Sequence, residues 1–447
     1  MVAIVVPALA PYDVVKRWSN LDPWLENPKL AAPEWSTWFT GKNEPRTAIY
    51  PDAEFRKVTV HAQPPGTNLT LTLINYTKAF FWPYDNFPSE LSLSITATFP
   101  GQSPFLEIYW LRPDGQYFRL FAKSIANAGR NVSQTYHLST NPDVLTNIRD
   151  WVNREGVIPA GTVSSAYVQP ETVLFAVNDS AQLDGRRANV LKGKYELIIR
   201  YTGFTGSDDV AGRFIVYGTV YGLAGTDQKR RDLMIGLLWG APVALSFGIA
   251  AALVTVLVQM ILGALGAWYG GPLDVFIQRL ADFYLIIPLL PLLILIALLY
   301  RPSILLILAV LVALGIAGGT TKVARSIVLQ IREEQYIEAA LSYGASRVRI
   351  LFRYIIPRLM PYTFALVALS VPIFIFLEAS LSFLGLGDPV LPTWGALLGE
   401  AETNSAGFYG WWWWIAFPAA GIIYTTIGFA LLGYAFDKVL NPRLREE

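Results

Sequence analysis

The sequence predicts a mainly α transmembrane bundle with an inserted all-β, sandwich-like domain. Three observations carry that prediction. Residues 232–436 are mostly apolar and contain long runs without a charge. Residues from about 45 to 222 alternate apolar and polar positions with a period of two, as half-buried strands do. Between two of the apolar runs lies a polar, arginine-studded segment, 322–358.

Composition narrows the chemistry. The chain has 447 residues, 53% of them hydrophobic, and a formal net charge of +1. A nucleic-acid binder would show a basic excess, so that class is excluded. There is no cysteine, hence no disulfide and no thiolate metal site. The two histidines, His61 and His137, are far apart in sequence, which argues against a histidine-built metal centre. No Gly-x4-Gly-Lys-Ser/Thr loop occurs, so the chain is not expected to bind ATP itself, and no cofactor or metal is expected on it.

The apolar half resolves into five spans. Leu233 to Leu273 contains no charged residue, and its 41 positions as helix would measure roughly 60 Å, about twice a bilayer core. Pro242 is expected to divide it into a short interfacial helix at 233–240 and a span at 243–268. Further spans are expected at 281–300, 303–321, 361–383 and 411–436, bounded by Arg301-Pro302, Lys322 with Arg325, and Asp437-Lys438. The first residues, Met1 to Ala10, are apolar but too short to cross.

Charge sets the orientation. The 322–358 loop carries seven basic residues, whereas 385–410 carries none. The positive-inside rule places the arginine-rich loop in the cytoplasm, and counting back places the β-rich half (12–224) outside. The C-terminal tail, with Lys438, Arg443 and Arg445, then falls inside. Trp411 to Trp414 are expected at the outer interface, where indole rings favour the headgroup zone; the competing reading is a sugar-binding cluster.

In the β-rich half, Leu69, Leu71 and Leu73 are expected to share one face with Thr70 and Thr72 opposite, and Leu91, Leu93 and Ile95 repeat the pattern. Arg112-Pro113-Asp114-Gly115 predicts a hairpin turn between 105–111 and 117–122. Strands are expected at 194–201 and 213–221. One helix is predicted, capped by Asn141, opened by Pro142, with Val144, Ile148, Trp151 and Val152 on one face. Four glycosylation sequons, at Asn68, Asn75, Asn131 and Asn178, all fall in this half.

The segment that carries function begins at Glu338-Ala339-Ala340-Leu341-Ser342-Tyr343-Gly344 and continues to Ile355-Ile356-Pro357. Ala339 and Ala340 are small, so a helix bearing them can sit close in a partner's cleft. Gly344 can adopt positive φ and turn the chain between two short helices. Glu338 places a carboxylate near a helix start, where it is favourable. A solvated helix-turn-helix between two spans is the plain alternative.

This segment resembles the cytoplasmic loop by which the membrane subunits of ABC importers dock their ATPases. Tyr354 and Ile356 depart from the residues usual there. The resemblance extends over nearly all of 222–444 and points to the second permease subunit of the peptide, oligopeptide and nickel class. It is carried by Gly225-Thr226-Asp227 with Arg231-Asp232, by Tyr269-Gly270-Gly271 with Asp274, by Leu377 to Gly387, by Thr393-Trp394-Gly395-Ala396, and by Leu440-Asn441-Pro442-Arg443. Arg230 departs from the usual glycine. Ala10-Pro11-Tyr12-Asp13 resembles the end of a first span, so 1–11 is expected to be a remnant of that helix, with a genuine interfacial N-terminus as the alternative.

The resemblance implies a type I importer permease domain over 225–447 that does no chemistry itself. It implies a second homologous permease, two ATPase subunits carrying ATP and Mg, an extracellular solute-binding protein and a lipid bilayer as partners. Glu338, Ala339, Ala340, Leu341, Gly344 and Pro357 would couple the ATPases to the spans. The cargo would be peptides, or oligosaccharides as in some archaeal members, and the sequons with the missing cysteines point to an archaeal source. Relatives have a much shorter segment where the β-rich half stands; it would dock the binding protein, shield the outer mouth or space the spans from a surface layer.

Glu378 lies in an otherwise apolar span, where an unpaired carboxylate costs roughly 3 kcal/mol. It shapes the pathway, or it is a partnered carboxylate fixing the turn at Ser380 and Ser382; the second reading is favoured. Arg279 and Asp282 are spaced to pair on one helix face. The competing function is a membrane-anchored surface receptor or adhesin, which explains the sequons but not the 322–358 loop. An integral-membrane enzyme finds no nucleophile motif or His/Cys cluster in the spans.

Overall fold

In a computed structural model of the chain the described residues are 6, 12–63, 70–125, 131–154, 169–177, 188–300, 303–315, 317–387 and 391–440. They form two compact units: residues 21–232, and residues 1–20 together with 233–447. The boundaries differ from those read off the sequence at both ends. Residues 12–20 belong with the membrane helices, because the Trp18 ring packs where a Cβ on Gly236 would otherwise sit. Gly225 to Asp232 belong with the β-rich unit, because the Thr226 hydroxyl donates to Pro28 O (2.8 Å) and accepts from Ala31 N–H (2.9 Å). Of the 1–11 segment, Val6 alone is among the described residues.

The membrane unit opens with α1 (Tyr12–Lys16), whose Tyr12 ring lies 5.5 Å from that of Trp239. The β-rich unit holds α2 (Thr37–Thr40), α3 (Pro142–Arg154) and α4 (Pro170–Phe175). Its strands are β1 (Ala48–Tyr50), β2 (Arg56–Ala62), β3 (Leu71–Trp82), β4 (Glu90–Thr98), β5 (Phe105–Leu111), β6 (Tyr117–Ser124), β7 (Asn131–His137), β8 (Gly193–Gly203) and β9 (Asp209–Tyr217). They form two antiparallel sheets, ordered β1-β9-β4-β7 and β2-β3-β8-β5-β6.

One buried cluster draws on both sheets, with Phe80, Trp82, Trp110 and Tyr195 around Phe175 of α4, and Phe214 against Phe80 and Trp110. The turn at Gly115 (φ 83°) joins β5 to β6, and Asn141 Oδ1 accepts from the amides of Asp143 and Val144 at the start of α3. Val144, Ile148 and Val152 are buried there, and Trp151 stacks on Phe118.

The alternation in β3 is real, but the buried face is the opposite one. Leu73 is 41% exposed and Thr72 is buried. Ile74, Tyr76, Phe80 and Trp82 bring far more apolar area to the core than Leu71 and Leu73, and a period-two strand cannot bury both sets. Thr72 is carried inside with its hydroxyl satisfied by Thr205 O at 2.6 Å.

The membrane unit continues with α5 (Leu233–Tyr269), α6 (Gly271–Ile286), α7 (Leu289–Tyr300), α8 (Ile304–Leu314), α9 (Gly319–Arg332), α10 (Gln335–Ser342), α11 (Arg347–Ile350), a π-turn (Leu351–Ile355), α12 (Ile356–Phe383), α13 (Trp394–Thr403), α14 (Ala406–Tyr409) and α15 (Trp412–Leu440). Three helices are long and apolar enough to cross a membrane, and two bent pairs bring the number to as many as five among the described residues.

Several predicted spans differ in shape. The first runs unbroken through Pro242 as part of α5: its mean hydropathy is 2.3, and away from water a helix keeps its backbone bonds by continuing. The second is broken between α6 and α7 by 77°. Pro288 is the cause, since the residue before a proline is driven out of the helical region, and Ile287 is extended (ψ 124°). The third bends by 47° between α8 and α9, and α9 then carries helix into the expected loop as far as Arg332. Among 411–414, Trp414 is fully buried and Trp412 is 43% exposed, so the tryptophans do not form one exposed belt. On α13, Gly395 and Gly399 lie where any Cβ would collide with the carbonyl oxygens of Ala379 and Phe383, which allows α13 to press against α12. Arg301-Pro302, Asp388 and Asn441-Pro442-Arg443 lie outside the described residues.

Candidate functional site

The segment between α9 and α12 is a short helix, a tight reversal and a second short helix. Ile337 is fully buried and anchors α10 to a cluster with Met260, Ala264, Ala324, Val328 and Ile331, while Ala340 packs at its edge. Glu338, Ala339, Leu341 and Tyr343 are exposed, with Tyr343 at 92%. Glu338 sits in the first turn of α10, where backbone amides favour a carboxylate.

Two backbone bonds close the end of α10. Gly344 N–H donates to Leu341 O at 2.9 Å, and Ala345 N–H donates to Ala340 O at 3.0 Å. This pair is a Schellman closure, which requires the residue after the cap in the left-handed region, and Gly344 has φ 80°. A Cβ there would meet no atom within 4 Å, so the requirement for glycine is one of backbone conformation, not of space.

Ser346 caps α11 by accepting from Arg349 N–H at 3.3 Å. The Trp268 indole at the end of α5 donates to Arg347 O at 3.0 Å. The π-turn ends two residues before Pro357, which stands in the first turn of α12. A regular helix would press the proline ring against the carbonyl of Arg353, and the wider turn relieves that clash. Trp268, Tyr269, Arg332, Glu333, Glu334, Glu338, Leu341 and Arg347 line an open cleft of about 490 Å³ beside α10.

Ion pairs tie this region to the spans in ways the sequence reading missed. Arg325 grips Asp274 with two nitrogens (Nε to Oδ1 2.8 Å, Nη2 to Oδ2 2.7 Å). Asp282 pairs with Lys322 of α9, not with Arg279 as its spacing suggested, because the α6–α9 packing brings the lysine to it. Arg358 lies over the Tyr336 ring and 3.8 Å from Glu334. Acidic residues in otherwise apolar runs were the available signal for the first two.

At the far end of α12, Glu378 is 5% exposed, and the Ser382 hydroxyl donates to its Oε1 at 2.6 Å. Ser380 does not join them; its hydroxyl donates to Phe376 O of its own helix at 2.7 Å. Gly385 N–H to Ser382 O and Leu386 N–H to Leu381 O repeat the closure seen at Gly344. Buried Gln259 donates to Gly315 O at 2.6 Å, satisfying a carbonyl freed by the bend between α8 and α9.

In the β-rich unit, Asp227 and Arg231 are a buried ion pair (2.5 Å), and Asp227 also accepts the amides of Lys229 and Arg231. Arg230 holds φ 64°, the left-handed region that glycine favours. Its guanidinium pairs with Glu90, donates to Asn27 O at 2.8 Å and lies over the Tyr217 ring.

Asn75 is exposed on β3. Asn131 is exposed at the start of β7, where its Oδ1 accepts from Thr98. Asn68 and Asn178 lie outside the described residues. Among the described residues no group of three or more His, Cys, Asp or Glu could hold a metal.

A family described as "Binding-protein-dependent transport system inner membrane component" matches residues 259–446. The oligopeptide transport system permease protein of Bacillus subtilis is 32% identical over 225 residues, covering 50% of this chain and 72% of that protein. The glutathione transport system permease protein of Pectobacterium atrosepticum is 32% identical over 240 residues, covering 49% and 72%. The oligopeptide transport system permease protein of Escherichia coli is 34% identical over 224 residues, covering 49% and 72%. The helical unit and these relatives agree on what this chain is: it belongs to the family of binding-protein-dependent transport system inner membrane components, as a multi-pass permease subunit.

Proposed function

We propose that this chain is the second permease subunit of an ABC importer that carries peptides inward. Peptide cargo is the class supported by the names of relatives, which include oligopeptide, dipeptide and glutathione permeases. Two ATPase subunits hold ATP and Mg, a second homologous permease completes the pathway, and an extracellular solute-binding protein delivers cargo. The 322–358 segment faces the cytoplasm, and the 21–232 unit faces outward, with Asn75 and Asn131 as candidate glycosylation positions.

The observation that carries this reading is the closed α10–Gly344 reversal. It presents Glu338, Ala339 and Leu341 outward on a helix whose other face is anchored by Ile337. Such a helix transmits a push on its outer face into the packed cluster behind it, and through Trp268 and Arg347 to α5 and α12. Glu378 acts as a partnered carboxylate that holds the outer end of α12, consistent with its bond from Ser382.

Co-purification tests the assignment. The full chain, expressed with its neighbouring genes, is expected to retain an ATPase pair through detergent extraction. A chain that never associates with an ATPase favours a surface receptor or adhesin. A binding screen of the cognate receptor against peptides and oligosaccharides then decides the cargo.

A further inference from the structure

One face of the five-stranded sheet points away from the buried cluster of the β-rich unit. In β3, Ile74, Tyr76 and Phe80 are buried, so Leu73, Asn75 and Thr77 belong to the outer face. β2 is the edge strand of this sheet, and its Val60 and Val58 stand directly opposite Leu73 and Asn75. Val58 is 43% exposed, Val60 51% and Leu73 41%. Three neighbouring aliphatic side chains thus form a solvent-facing patch along a sheet edge.

Asn75 borders that patch and opens the sequon Asn75-Tyr76-Thr77. It is exposed, with Val58 opposite it on one side and Arg200 of β8 on the other. Directly opposed side chains lie about 5 Å apart, so both are within reach of the first sugars on the asparagine. The Arg200 guanidinium lies over the Tyr109 ring, 4.7 Å from its centre, which holds its donors along the sheet face. A pyranose is amphipathic. Its C–H groups suit aliphatic side chains, and its hydroxyls accept from a guanidinium.

We propose that Asn75 carries an N-linked glycan that folds back over this face, its first sugars against Val58, Val60 and Leu73 and within bonding reach of Arg200. The proposal rests on the outward placement of the 21–232 unit proposed above. The donor is an oligosaccharide linked to a lipid phosphate. Asn75 Nδ2 forms a bond to the anomeric carbon, the bond from that carbon to the phosphate oxygen breaks, the lipid phosphate departs, and the amide releases one proton. The attached glycan covers the aliphatic patch and overhangs β2, so a second extended chain is kept from adding to that edge.

Mass spectrometry of the full chain from its native membranes is expected to find the glycan on Asn75 and to lose it in Thr77→Val. The chain has no cysteine, so Val60→Cys gives a single thiol in the patch. Its reaction with a maleimide should be several-fold slower in the glycosylated chain than in the Thr77→Val background. Trp38→Cys, at a position 82% exposed in the same unit, should react equally in both.

An unmodified Asn75 overturns the proposal. So does a glycan that leaves the Val60→Cys rate unchanged, since it then projects into solvent. A membrane-impermeant maleimide on intact cells separates this failure from failure of the outward placement. Labelling of Trp38→Cys there keeps the placement and defeats the glycan alone; absence of labelling defeats both.

Discussion

The Trp268 indole N–H donates to the Arg347 carbonyl at 3.0 Å, joining the end of α5 to the first residue of α11 across 79 positions of sequence. Trp268→Phe keeps most of the ring packing and removes the donor. The substitution is expected to weaken the attachment by about 1 kcal/mol. Amides of Arg349 to Leu351 should then exchange with solvent about fivefold faster, while those in the middle of α5 keep their protection.

Glu378 and Ser382 form a buried pair with a short bond of 2.6 Å. Glu378→Gln keeps an acceptor for the serine hydroxyl. Glu378→Leu leaves that hydroxyl buried and unmatched, at a cost of roughly 1–3 kcal/mol. Thermal unfolding of the purified chain in detergent is expected to show the leucine variant well below wild type and the glutamine variant close to it. Equal losses in both would show that the serine bond does not matter.

Arg230 combines an unfavourable backbone with favourable side-chain contacts. Arg230→Gly relieves about 1 kcal/mol of left-handed strain. It also removes a guanidinium that pairs with Glu90, donates to Asn27 O and covers Tyr217. Hydrogen bonds to charged groups contribute about 1.5–3 kcal/mol, so the net effect should be destabilising by roughly 1–2 kcal/mol. A double-mutant cycle with Glu90→Gln should show clear non-additivity.

Glu171 is buried in α4, and burial raises its carboxyl above the ordinary value of 4.5, partly opposed by the Ser139 hydroxyl. The folded state therefore favours the protonated acid more than the unfolded state does. Its contribution is fully present below the ordinary carboxylate value and is lost as pH rises through the folded-state value. Glu171→Gln should flatten that dependence and gain relative stability on the alkaline side. Unfolding of the chain followed over a pH series measures the change; an unchanged slope would mean that Glu171 ionises freely in the fold.

Much of this architecture is legible in the sequence because the signals are local. Charge-free runs mark spans, Asn141-Pro142 marks a helix start, and Gly115 marks a hairpin. Errors arise where competition decides. The face of β3 is set by the larger side chains at Ile74, Tyr76, Phe80 and Trp82, not by the first leucines met in the run. The break at Ile287-Pro288 and the continuity at Pro242 contain the same residue type, and only the surroundings separate them. In the candidate site, Gly344 is readable from the sequence because its role is local. Trp268–Arg347 and Arg325–Asp274 are not, because each depends on how distant helices pack.

As proposed above, α10 and its reversal at Gly344 transmit the work of ATPase subunits to the spans. Gly344→Val tests it in the assembled importer reconstituted in vesicles, with cargo uptake and ATP hydrolysis measured together. At φ 80° alanine costs roughly 1–2 kcal/mol and a β-branched residue more, although no neighbour blocks the side chain. ATP hydrolysis is expected to continue while uptake falls sharply, with Gly344→Ala between valine and wild type. Normal cargo-stimulated uptake in the valine variant would contradict it.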